Sequence, residues 1–595
     1  MTLSRRQTLA GLLAPAATPA LWWPGSSPAQ AVTAATGPAQ ALHALFERYW
    51  DDTARWYPEW ATFRGDHRYG DRLTDRSPEA DADRIAQQQR WLAQAEAVPR
   101  DALSVTDRVS RDMFIHEQRA KLRLHAFEGW RTMEIGALRG TQTALADLLK
   151  AVPMDSAERA EQLLARLAAY PRAMDQAIAK LSRGVALGWV PPQSVVQRAL
   201  SQIDGQLAPA LRQGPFFEPF GRLPSSLPAG QRAALMARGE AAIESQVLPA
   251  MVRLREFLQQ SYLIAAPASG GLLRYPDGAA LYAELVAQHT TTQMAPQQIH
   301  QMGLDLLDQL HVEIRKVQKE RQFNGSFAQW VALLNQPQHF FSSPEAMLEG
   351  LRAAAKRLDP EMPRLFAELP RATYGIRAMP VHLGPGAADN YNRPPEGGAQ
   401  PGWYNANTLA FTSRQRWALP TLVAHETVPG HHLQGARAIE LGGLPAFRRN
   451  GFYTAFGEGW ALYAETLCDE LGLFDSPETR FGYLQAQAFR AARLVVDTGL
   501  HSLGWSRQQA IDLMIDRSGQ SAVFVQSEVD RYLSNPGQAL AYMVGQQHIL
   551  GLRARARHAL GAGFDLRRFN NAVIDQGALP LDVLTSQIDN WTKAE

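Results

Sequence analysis

At 595 residues with 46% hydrophobic side chains, the chain is globular and long enough for two or more domains. Its 60 Lys and Arg against 58 Asp and Glu leave a formal net charge of +2, with no basic stripe for a nucleic acid or an anionic membrane. The single cysteine, Cys468, excludes an internal disulfide.

The N-terminus reads as a targeting segment. Arg5-Arg6 precede an apolar run from Leu9 to Trp23, and Ala29-Gln30-Ala31 follows as a cleavage signal. Residues 1–31 are expected to be a twin-arginine-type signal peptide that delivers residues 32–595 to the periplasm. Thr8 departs from the usual consensus, where Phe or Leu is common. The apolar run is short for a membrane span of ~20 residues, so no stable span is expected after cleavage. Cys468 lies far from the N-terminus, so no lipid-anchored start is expected either. Removing 1–31 takes away two Arg and no acid, which leaves the two signs equal.

Helical periodicity dominates the mature protein. The stretches 156–177, 231–263, 296–322 and 344–368 open near Ser, Pro or Gln-rich caps and carry apolar residues at 3–4 spacing. No repeat of 20–50 residues is present. The expected fold is mainly α and multi-helical, with Pro-Gly-rich stretches at 186–228 and 264–278 as candidate lobe boundaries. Residues 377–413 read differently, being rich in Gly, Pro and Asn. Short runs at 378–383 and 402–407 predict a small β element there. An edge strand can pair with an extended peptide, so Gly402, Tyr404 and Asn405 are the expected substrate-binding residues.

The chemistry concentrates in 425–434, His-Glu-Thr-Val-Pro-Gly-His-His-Leu-Gln. An adjacent His and Glu with further His two helical turns on is the residue set of a zinc hydrolase helix. There His holds the metal and Glu handles the proton of the attacking water. The spacing is unusual. His432, seven residues on, returns to the face of His425 but ~10.5 Å along the axis, while His431 is nearer but ~120° off that face. Pro429 and Gly430 predict a bulged helix that brings His431 round as second ligand, with His432 as the alternative. Catalytic zinc takes a third protein ligand. Glu458 in Glu458-Gly-Trp-Ala-Leu-Tyr-Ala-Glu465 is the candidate, on a helix too apolar to bury an unpaired carboxylate. Glu465 shares its face and is expected to orient a ligand His; for either Glu, ion pairs with Arg448, Arg449 or Arg493 are the competing use. Further on, Arg493, Asp497 and His501 fall on one helical stripe, in which Asp497 would orient His501 or a ligand His and His501 would donate to an oxyanion.

These motifs carry a resemblance. HETVPGHHLQ, followed by EGWALYAE and PGQALAYMVGQ, resembles the bacterial family called domain of unknown function 885. The likeness takes in 57–65, 401–405 and 419–422 and runs over nearly all of the mature protein. That family is similar to the gluzincin metallopeptidases, in which two His and a downstream Glu bind zinc. An extra residue between the His ligands is known in dipeptidyl peptidase III. The resemblance implies a two-lobed helical body around a deep cleft. It also implies an oxyanion donor, for which Tyr542 is the candidate on the second turn of a helix after Pro536. The expected protein is therefore an exported zinc metallohydrolase. Zn²⁺ would sit on His425, His431 and Glu458, Glu426 would be the general base, and a peptide would be the substrate. The alternatives are a zinc amidohydrolase for a non-peptide or cell-wall amide, and a catalytically silent metal- or peptide-binding protein.

Overall fold

Ser, Pro and Gly punctuate the helices as the sequence predicts. Ser156 caps the helix Ala157–Leu187, its side chain accepting from the Arg159 amide, and Gly188 ends it at φ 72°. Pro occupies the first turn of Pro296–Glu320 and of Pro344–Leu358. The 231–263 periodicity becomes Ala229–Ala242 and Leu248–Phe257, joined and followed by wider π turns at Ile243–Val247 and Leu258–Tyr262. The computed structural model describes residues 37–379, 389–395 and 400–595. The expected signal segment 1–31 and residues 380–383 of the expected strand lie outside them. Among the described residues the fold is mainly α, and no helix is long and apolar enough to cross a membrane. The stretch 186–228 itself contains a helix, Gln193–Leu207.

The β element is a three-stranded sheet of β1 (Tyr374–Ala378), β2 (Asn390–Asn392) and β3 (Gly402–Ala406), in the order β1-β3-β2. β1 runs parallel to β3, and β2 antiparallel to it. This corrects the expected edge strand. β3 is central and pairs on both sides, so the backbone at Gly402, Tyr404 and Asn405 is not open to a substrate strand. The Tyr404 hydroxyl is also used, donating to Asp389 at 2.8 Å, and Asn405 donates to Asn390 at 3.0 Å.

One apolar cluster extends from Leu42 to Ile588. Its spine is the helix Pro477–Ser502, buried along most of its length and packed against Pro296–Glu320. The helices Thr454–Glu470 and Ala541–Leu560 also pack closely. Gly459 and Gly545 permit this. A Cβ on Gly459 would stand 2.5 Å from the Gly545 Cα, and one on Gly545 would collide with the Ala455 carbonyl oxygen. That approach sets Glu458 beside the start of the Ala541–Leu560 helix.

Candidate metal centre

The His-Glu segment is two helices rather than one bulged helix. Leu419–Glu426 ends at Thr427 (φ −111°, ψ −117°), and His431–Glu440 begins after Gly430. Pro429 has no amide to continue the ladder. Instead the Gly430 amide donates to Ala424 O and the His432 amide to Thr427 O, each at 3.0 Å. A Cβ at Gly430 would collide with the His425 carbonyl, so the break requires glycine. Trp460 fixes it from the next helix by donating to Pro429 O at 3.0 Å. The break brings the His425 and His431 rings to a centroid distance of 4.8 Å, inclined at 84°.

Both rings face Glu458. His425 Nε2 lies 3.4 Å and His431 Nε2 3.5 Å from the same oxygen, Glu458 Oε2. One ligand atom from each of the three residues lies within 4.8 Å of the others. Glu465 stands on the far side of His425, with Oε1 2.7 Å from Nδ1. A carboxylate only accepts, so this contact keeps a proton on Nδ1 and leaves Nε2 facing Glu458. Glu465 Oε2 accepts from Thr421 at 2.9 Å and from Gln487 at 3.1 Å, and Gln546 donates to Gln487 at 2.9 Å. His432 turns away. It donates from Nε2 to Ala372 O at 3.2 Å, so its Nδ1 accepts from the Tyr391 hydroxyl at 2.7 Å.

The three groups polarise one another. Burial disfavours charge on His425, yet Glu458 and Glu465 raise it to about 9. Burial would also raise the Glu458 carboxyl, but the contacts with His425 and His431 hold it well below the ordinary range. Glu426 is raised, with burial the largest cause and His431 and His425 opposing it. Burial pushes the Tyr542 phenol up, aided by the Glu458 charge, so it stays protonated and able to donate. Burial pulls His432 down to about 4.

A cavity of about 440 Å³ holds His425, His431 and Glu458 together with Glu426, Tyr542, Tyr391, Arg393, Arg490 and Arg493. Phe452 also lines a second cavity of about 800 Å³, walled by Trp50, Trp56, Trp60, Trp91 and Tyr453. Tyr542 stands in the first turn of its helix, not the second, because a short 3₁₀ turn, Gln538–Leu540, intervenes after Pro536.

Two expected residues lie elsewhere. His501 has both ring nitrogens engaged: Nδ1 accepts from the Leu272 amide at 3.1 Å, and Nε2 donates to Tyr532 O at 3.1 Å. It has no nitrogen left for an oxyanion and does not line the cavity. Asp497 does not orient a histidine. It accepts from Tyr282 at 2.6 Å and from the Gly537 amide at 2.9 Å, anchoring the loop before Tyr542. Sequence reasoning missed Thr421, Gln487 and Gln546 behind Glu465, and Asp389, Tyr391 and Arg393 from β2 and its flanks. Gln546 closes the PGQALAYMVGQ run, and that was its only sequence signal.

A helical body carrying a partly buried His-His-Glu cluster is the class of protein this geometry defines. The chain belongs to the family described as "Bacterial protein of unknown function (DUF885)", whose model matches residues 58–588. It is similar to a crystal structure of a "putative lipoprotein" from Colwellia psychrerythraea, at 26% identity and a TM-score of 0.89, over 94% of this chain and 100% of that one. A "putative lipoprotein of unknown function" from Shewanella oneidensis shares the fold at 19% identity and a TM-score of 0.73, over 93% and 99% of the two proteins. A "putative oligoendopeptidase F" from Bacillus anthracis str. Ames matches at 14% identity, over 86% of this chain and 96% of that one. Its TM-score of 0.28 is too low to carry an argument. No curated protein matches this sequence.

Proposed function

We propose that this protein is an exported zinc-dependent peptidase whose metal sits on His425, His431 and Glu458. The observation that carries the reading is the convergence of two imidazole nitrogens and one carboxylate oxygen within 4.8 Å, with Glu465 behind the first histidine. Donors of this kind and number fit a catalytic zinc site that keeps one position open, and the carboxylate–histidine arrangement is what orients such ligands. When bound there, zinc would supply Lewis acidity and make a water acidic enough to react near neutral pH.

The protein's own groups do the rest. The Glu426 carboxylate has no hydrogen-bond partner among the described residues, and its raised carboxyl suits a general base. It takes a proton from the water that attacks the peptide carbonyl and passes it to the amine nitrogen as the C–N bond breaks. Tyr542 donates to the oxygen that becomes negative in the tetrahedral intermediate. Glu465, held by Thr421 and Gln487, keeps His425 in orientation. Export is supported by Arg5-Arg6 before the apolar run and by the name of the Colwellia protein, since lipoproteins are an exported class.

The test is peptide hydrolysis by the zinc-loaded protein beside Glu426→Gln. The variant should lose roughly 10²–10⁴ in kcat with its thermal unfolding unchanged. Wild-type activity in Glu426→Gln would remove Glu426 as the base.

A further inference from the structure

The metal cavity carries more cationic groups than its own carboxylates satisfy. Asp389 is met by Arg414 at 3.0 Å and Glu458 by the two histidines, while the third carboxylate, Glu426, makes no ion pair with an arginine among the described residues. That leaves the arginines Arg393, Arg490 and Arg493 of the same lining. Arg393 follows β2, is exposed, and has no hydrogen bond or ion pair among the described residues. Its stem lies across the helix that bears His431, at Gly435, where a Cβ would stand 3.0 Å from both Cγ and Cδ. Arg490 faces the same cavity from the Pro477–Ser502 helix. Its Nε is buried without a partner and its Nη1 is spent on Ala486 O of its own helix. Its nearest carboxylate oxygen, Glu465 Oε1, is 4.0 Å away and already accepts from His425. Arg493, one turn on, is held between the Phe489 and Tyr542 rings at 4.3 and 4.5 Å. It pairs with Glu528 at 2.9 Å, and its Nη1 is buried and unbonded.

A buried guanidinium with unused N–H groups is costly unless an anion completes it, and its fork matches a carboxylate in both spacing and plane. We infer that Arg393 and Arg490, with Arg493 beside Tyr542, form a carboxylate subsite, and that the substrate is a peptide with a free carboxylate next to the bond that is cut. The inference rests on the peptidase reading. Position sets the distance. Arg490 and the His425 ring contact the same Glu465 oxygen, so they are separated by no more than about two Cα steps of ~3.8 Å. A carboxylate held by Arg490 therefore belongs to a residue at or beside the scissile bond. It is either the terminal α-carboxylate of the peptide or the carboxylate of an acidic residue there, and the two sources are separable.

The experiment uses four versions of one short peptide, ending in Ala or Glu, each as free acid and as C-terminal amide. Binding is measured by calorimetry to zinc-loaded Glu426→Gln, and turnover with the wild type. The Ala-terminated free acid should bind at least about tenfold more tightly than its amide, as for hydrogen bonds to a charged partner. Arg393→Gln and Arg490→Gln should each abolish most of that preference. If the Glu-terminated amide binds as tightly as the free acids, the carboxylate of the Glu side chain is the one recognised. Arg393 is exposed, so its variant carries the test even if Arg490→Gln fails to fold. Equal binding of all four peptides, with no effect of Arg393→Gln on any of them, would overturn the subsite and mean that Arg393 is only solvated and Arg490 only screens Glu465. A clear carboxylate preference without turnover of any peptide would keep the subsite and overturn the peptidase reading.

Discussion

Glu465 shows how one buried carboxylate organises the centre. Almost fully buried, it accepts from His425, Thr421 and Gln487, so the imidazole is held from behind by a group that is itself fixed. Glu465→Gln keeps the size and removes the charge. It should weaken zinc about 10–100-fold in a competition with a chelator; an unchanged affinity would reduce Glu465 to a packing role. The histidines, Glu426 and Glu458 were legible in the sequence because few other jobs explain a His-Glu pair and a carboxylate in an apolar helix. The choice of His431 over His432 was not decidable from spacing. It depends on where the helix breaks and on Tyr391 and Ala372 engaging His432, which are tertiary facts. His501 misled for a related reason: a helical stripe gives direction but not depth, and one turn past Asp497 that stripe meets Leu272 and Tyr532 rather than the cavity.

At the scale of elements, the site depends on backbones that approach closely and on a loop tied by a buried acid. The Gly459–Gly545 contact lets the Glu458 helix meet the Tyr542 helix. Gly545→Ala should cost about 1–3 kcal/mol of stability by overpacking, read from chemical denaturation; a stability equal to wild type would mean that the helices separate without penalty. Asp497 makes a pH-dependent contribution. Burial lifts its carboxyl to about 7, against hydrogen bonds from Tyr282 and Gly537. The folded protein therefore keeps a proton there that an unfolded carboxyl releases near pH ~4. The stability this group provides is full below that pH and is lost as the pH rises to about 7. Asp497→Asn cannot ionise, so between pH ~4 and ~7 it should gain on the wild type by up to about 4 kcal/mol. Parallel stability curves would show that Asp497 has no raised pKa. The helices were legible from periodicity and caps, as at Ser156, whereas β2 was not: Asn390–Asn392 has three residues, too few to alternate, and it is what makes β3 central.

Across the whole molecule, one apolar core from Leu42 to Ile588 supports a cavity whose polar residues come from the helices Leu419–Glu426, His431–Glu440, Thr454–Glu470, Pro477–Ser502 and Ala541–Leu560, and from β2 with its flanks. The mainly α class was readable because each long segment repeats its apolar residues at helical spacing. Which faces meet was not, because close approaches such as Gly459 to Gly545 join residues distant in sequence. The elements converge on His425, His431 and Glu458, which the proposed function makes the ligands of a catalytic metal. The most direct test is the zinc content of the purified protein beside Glu426→Gln, His432→Ala, His425→Ala and His431→Ala. About one zinc per molecule is expected in the wild type and the first two variants, with loss of zinc in the last two. A wild type that takes up no metal when zinc is supplied would contradict this, as would full zinc in His431→Ala with loss in His432→Ala.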